Sequence, residues 1–131
     1  MKPTLEQFKN YASQSNVVPV YSELLADMET PVSVFSKVRQ AQTCFLFESA
    51  ETVDNWGRYS FIGQSPKAVF SLCGKKSKLT FADGRTVESR SEDGLSPLAP
   101  LREYLASRRF AEIEGLPRFA GGAVGYFGYE C

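Results

Sequence analysis

Residues 68–88 read AVFSLCGKKSKLTFADGRTVE, and the fold class turns on them. Apolar and polar side chains mix with β-branched and aromatic character over 68–73, 78–81 and 85–88, which predicts three strands. Gly74-Lys75-Lys76-Ser77 joins the first two, and Asp83-Gly84 joins the last two. An Asp-Gly pair between β runs is a strong short-range hairpin signal. Successive strands linked by tight turns pair antiparallel, so the stretch predicts a meander. Its dense basic run, Lys75-Lys76-Ser77-Lys78, is expected as a solvated turn rather than a nucleic-acid surface.

Upstream, CFLFESAE (44–51) places four apolar side chains in a row ahead of Glu48, predicting a strand over 44–49. Asn55-Trp56-Gly57 is turn-like, and β character resumes over 58–62. Helices are expected at three places. Thr4-Leu5-Glu6-Gln7 is a capping-box pattern, with Leu5, Phe8 and Ala12 at helical spacing over about 4–14. Thr30-Pro31 has the form of a cap followed by proline in the first turn, opening a short helix that ends near Gln40. Ser96-Pro97 repeats the device, with Leu98, Leu101 and Leu105 on one face of a helix reaching about Arg109. Between the first two helices, Val17–Leu25 is β-like, but Pro19 confines it to an edge or an irregular strand.

The chain closes on FAGGAVGYFGYEC. Its glycines match neither G-x-x-x-x-G-K-[ST] nor G-x-G-x-x-G opening a helix. Phe119–Tyr129 is expected instead as an interior strand whose small residues admit another layer. Domains seldom stop so soon after such an element. The sequence therefore predicts a fragment, with further sheet and any active site beyond Cys131.

At 131 residues, with 43% hydrophobic and 23% charged residues and a formal net charge of zero, the composition is that of one globular domain. Nothing in it favours a nucleic-acid partner. No leader-like segment opens the chain, and no apolar run approaches a membrane span. The three cysteines, Cys44, Cys73 and Cys131, are odd in number and widely spaced. They predict reduced thiols in a cytoplasmic protein. Histidine is absent, which excludes Ser-His and Cys-His nucleophile pairs, an imidazole base and a histidine-containing zinc site from this chain. Glu6, Glu23, Glu29, Glu103, Asp27 and Asp93 are expected at solvated positions, with no spacing that suggests a metal or acid–base pair.

Glu48, Ser49 and Arg58 stand apart. A carboxylate at the end of an apolar strand is costly to bury unless it meets a cation or hydrogen-bond donors. Antiparallel pairing of 44–49 with 58–62 would bring Arg58 near it. Two readings follow. Glu48 and Arg58 form an internal ion pair, or they clamp a zwitterion, Glu48 holding an ammonium and Arg58 a carboxylate.

Taken in order, LLADMETPVSVF (24–35), CFLFESAE (44–51), WGRYSFIG (56–63) and FAGGAVGYFGYE (119–130) resemble the N-terminal region of anthranilate synthase component I. The resemblance implies an α+β fold of largely antiparallel sheet with flanking helices. It implies that this fold is part of a larger β-sandwich in α/β/β/α layers, completed by a C-terminal chorismate-binding region. It implies an enzyme of tryptophan biosynthesis that converts chorismate and ammonia to anthranilate and pyruvate. The ammonia would come from a glutamine amidotransferase subunit (component II), magnesium would be required, and tryptophan would inhibit by feedback. The family's inhibitor segment, Leu-Leu-Glu-Ser, is matched by Leu46-Phe47-Glu48-Ser49, with Phe47 keeping the changed position apolar. Glu48 and Ser49 are carried over as tryptophan contacts, and Arg58 stands where a basic contact fits. The family's catalytic and magnesium-binding residues are expected downstream of Cys131. None is assigned here, and the chain alone is expected to be inactive. Two alternatives remain open: the large subunit of aminodeoxychorismate synthase, and a stand-alone amino-acid-sensing module.

Overall fold

Thr4 and Gln7 satisfy each other at the start of helix α1 (Leu5–Gln14). The Gln7 N–H donates to Thr4 Oγ1 at 3.3 Å and the Thr4 N–H to Gln7 Oε1 at 2.9 Å. This reciprocal cap meets amides that the helix itself leaves unpaired. The protein is described by a computed structural model over residues 1–40, 43–48, 59–92, 96–117 and 119–129. Thr30 and Ser33 repeat the reciprocal cap at helix α2 (Pro31–Val38), where Pro31 occupies the first turn. Strands β1 (Cys44–Phe47) and β2 (Phe61–Gln64) follow as a two-stranded sheet. Strands β3 (Ala68–Cys73), β4 (Lys76–Phe81) and β5 (Thr86–Arg90) form a three-stranded one in that order, and helix α3 (Ala99–Ala106) comes last. The architecture is α+β with antiparallel sheets, as expected.

The chain divides into two compact units, Met1–Leu24 with Phe70–Leu79 and Val87–Cys131, and Leu25–Val69 with Thr80–Thr86. In the first, the segment after α1 is tied to the segment after α3. Asn16 and Val17 N–H groups donate to the Arg109 carbonyl at 3.0 and 3.1 Å, and the Ala111 N–H to the Val17 carbonyl at 2.9 Å. Asn16 also accepts from the Arg109 N–H at 2.7 Å and donates to the Ser107 carbonyl at 2.8 Å. Its side chain thus stands in for backbone pairing. Val17–Leu25 forms only isolated bridges, Val17 to Phe110 and Tyr21 to Lys2, in keeping with the irregularity that Pro19 imposes. Leu79 and Ala111 are the deeply buried apolar side chains among the described residues.

In the second unit, α2 precedes the β1–β2 pair, and the Gln40 N–H donates to Gln64 Oε1 at 3.2 Å. The Asp83-Gly84 turn is present as expected. Gly84 has φ of +86°, and Asp83 accepts from the backbone and the side chain of Arg85 at 3.0 and 2.7 Å.

Four expectations are corrected. The turn between β3 and β4 is Gly74-Lys75 alone. Gly74 at φ +56° closes the connection in fewer residues, so Lys76 and Ser77 join the ladder and Ser77 is buried. Strand β1 ends at Phe47 and β2 begins at Phe61, so the first stops earlier and the second starts later than 44–49 and 58–62 suggested. At α3, Ser96 does not cap the helix. It accepts from the Leu98 N–H at 3.3 Å in a preceding turn, and the proline of the first turn is Pro100. Pro100 lacks an N–H, a loss tolerated only in a first turn, and this fixes the helix start there. Finally, no strand covers the described residues of 119–129, and Tyr126, Phe127 and Tyr129 are exposed. A strand exists only with a partner for its backbone groups, and no ladder among the described residues includes this segment. The turn expected at 55–57 lies outside the described residues.

Candidate ligand site at the end of the first strand

The β1–β2 ladder fixes the surroundings of Glu48. Cys44 pairs with Gln64, Phe45 with Gly63, Leu46 with Ile62 and Phe47 with Phe61, antiparallel. Side chains alternate between faces, which sorts this hairpin into two surfaces. On one lie Phe45, Phe47 and Phe61. The Phe45 and Phe47 ring centroids are 5.3 Å apart, and Phe61 lies 6.2 Å from Tyr59. Gly63 makes room for this aromatic row, because its missing side chain leaves space that the Phe45 ring fills. On the other face lie Leu46 and Ile62.

The ladder ends at Phe47 and Phe61, and the residues just beyond it are Glu48 on one strand and Ser60 on the other. Both are exposed. The carboxylate therefore emerges into solvent at the strand end, not inside the core, and among the described residues no cation pairs with it. Ser49 and Arg58 lie outside the described residues, so the proposed zwitterion clamp and the Glu48–Arg58 ion pair both involve positions that are not described. Ser60 was not singled out from sequence. It lies next to Phe61, the last paired residue of the ladder, and only the strand pairing draws attention to it.

Elsewhere the electrostatics are local. Glu29 accepts from Lys37 Nζ and Ser33 Oγ beside the start of α2. The bond from Lys37 first, then that from Ser33, holds its carboxyl below the ordinary value. Asp83 is likewise held low, by the Arg85 N–H and then by its guanidinium. Among the described residues no three Cys, Asp or Glu side chains converge as metal ligands would. No helix of the described residues is long and apolar enough to cross a membrane.

The chain is similar along nearly its whole length to curated proteins. It is 39% identical over 128 residues to anthranilate synthase component 1 of Acetivibrio thermocellus, covering 98% of this chain and 25% of that protein. The corresponding protein of Pseudomonas aeruginosa is 39% identical over 127 residues, 96% of this chain and 25% of its own length. That of Acinetobacter calcoaceticus is 37% identical over 132 residues, 98% of this chain and 26% of its own. The chain spans about a quarter of the length of the curated relatives it matches. No family model and no solved structure matches it.

Proposed function

Because the chain belongs to the anthranilate synthase component 1 family, matching the N-terminal quarter of its members, we propose that it carries the tryptophan feedback site of such an enzyme. In this reading the whole enzyme converts chorismate and ammonia to anthranilate and pyruvate. A glutamine amidotransferase partner supplies the ammonia, and magnesium acts in the remainder of the protein. No catalytic step is assigned to residues of this chain.

The observation that carries the reading is Glu48 itself. An exposed carboxylate directly follows a partly buried apolar strand, within a chain that aligns over nearly its whole length with the first quarter of these relatives. It is open to a ligand and already unpaired by cations among the described residues. The α-ammonium of tryptophan supplies the missing positive charge, with Ser49 adding a hydroxyl and Arg58 meeting the α-carboxylate. A charge-assisted bond to an ammonium contributes about 1.5–3 kcal/mol where water is excluded. At an exposed strand end the bound amino acid must itself displace that water for the bond to reach such a value.

The test is inhibition of the whole enzyme. Glu48→Ala should weaken tryptophan inhibition by roughly one to two decades while turnover without tryptophan falls far less. Equal loss of turnover and inhibition would remove the feedback assignment. Product identity is the second readout: anthranilate supports the reaction named here, whereas aminodeoxychorismate would place the protein in folate synthesis.

A further inference from the structure

Strand β5 is an edge of the three-stranded sheet, bordered by β4 and by no other strand of the described residues. All five of its residues are exposed, and it contains no proline, so every residue keeps a backbone N–H, while its charged residues, Glu88 and Arg90, restrict which strand it can accept. Its hydrogen-bonding parity is fixed at both ends. The Phe81 N–H donates to the Arg85 carbonyl, and the Ser91 N–H to the Lys75 carbonyl, each at 2.8 Å. Hydrogen-bonded and non-bonded pairs alternate along an antiparallel ladder. Odd-numbered residues of β5 therefore face β4, and the N–H and C=O groups of Glu88 and Arg90 point outward.

We propose that this edge pairs antiparallel with β5 of a second copy of the chain, about a two-fold axis through Ser89. In that register Glu88 lies opposite Arg90 of the other copy and Arg90 opposite its Glu88. Each pair is hydrogen-bonded through its outward backbone groups, with both side chains on the same face. The charge pattern selects this register over its neighbours. A slip of two residues one way sets Glu88 against Glu88. A slip the other way sets Arg90 against Arg90 and Glu88 against Glu92. Like charges directly opposite destabilise a strand pair, and opposite charges support it. A slip of one residue breaks the backbone parity and turns every side chain to the wrong face. Glu88 is already flanked within its own sheet by Lys78, whose Nζ stands 3.2 Å from Oε1. Across the axis it meets a second cation. An isologous contact of this kind closes at two copies.

Sedimentation equilibrium on the protein at low and high salt tests the pairing. The wild-type protein should dimerise, more weakly as salt rises. Glu88→Arg alone and Arg90→Glu alone each set like charges opposite one another and should weaken association at least about tenfold. The double exchange Glu88→Arg with Arg90→Glu restores opposite charges and should recover the wild-type association. Ser89→Cys should form a disulfide between the two copies under mild oxidation, because non-hydrogen-bonded partners on the axis have Cα atoms about 4.5 Å apart. A wild-type monomer at millimolar concentration overturns the proposal. So do single exchanges that leave a dimer unaffected, a double exchange that does not restore it, and the absence of the 89–89 disulfide.

Discussion

At Gly63 the ring of the residue opposite occupies the space where a side chain would stand. A Cβ there would stand 2.2 Å from Cε1 and 2.5 Å from Cζ of Phe45, the residue directly opposite in the ladder. The glycine is used for space and not for an unusual backbone conformation. Gly63→Ala must drive the Phe45 ring out of its position, at a cost of about 1–3 kcal/mol, read as a lower urea midpoint. Phe45→Leu in the Gly63→Ala background should recover part of the loss, whereas simple addition of the two losses would show that the ring is not the obstacle. Glu29 supports a prediction in pH. Its carboxyl is held below the ordinary 4.5 by Lys37 and then Ser33. A depressed carboxylate stabilises the fold above its unfolded pKa, and that contribution is lost as pH falls through the lower folded value. Stability should therefore decline below about pH 4.5, and Glu29→Gln should flatten that limb. An acid limb of the same steepness in the variant would show that Glu29 is not its source.

Among the elements, the capped helices are the most local and were the most legible. Thr30→Ala removes the acceptor for the Ser33 N–H, at 3.1 Å, and should cost about 1 kcal/mol. Thr30→Ser should retain most of it, and equal losses in thermal melts of the two variants would contradict the capping role. The Thr4–Gln7 and Thr30–Pro31 signals could be read because cap and partner lie within one turn of sequence. Asp83-Gly84 was legible for the same reason. Boundaries that depend on distant partners were not. Lys76 and Ser77 read as turn because a basic residue and a serine interrupt the apolar pattern, yet Ser77 is 5% exposed in the ladder and its Oγ donates to the Ser89 carbonyl at 3.4 Å. Phe119–Tyr129 read as strand from composition, but composition cannot supply the neighbouring strand it needs. The candidate site divides along the same line. The passage from apolar strand to carboxylate at Phe47-Glu48 was plain in the sequence. The exposure of Glu48 was not, because it depends on what covers the end of β1.

For the whole chain, the balance of buried and exposed apolar surface sets an expectation for stability. Among the described residues Leu79 and Ala111 are the only apolar side chains buried to this depth, at 7% exposure each, while Leu25 and Met28 stand at 94% and 96% and Tyr126 at 95%. Folding stability is a small remainder between apolar burial and conformational entropy, each of order 100 kcal/mol for a domain and commonly leaving about 5–15 kcal/mol. A chain that leaves this many large apolar groups in water gains less of the burial term per ordered residue. The 131-residue chain should accordingly unfold with a free energy below about 5 kcal/mol and bind a hydrophobic dye in its native state. The same argument places its firmest backbone protection around Leu79 and Ala111. Their amides should exchange more slowly than those of 24–28 and 122–129, where the large apolar side chains face solvent. Urea titration with amide exchange on the same sample decides the matter. A cooperative transition of about 10 kcal/mol or more, or protection at 122–129 equal to that at Leu79, would show that these exposed side chains find burial in the chain by itself.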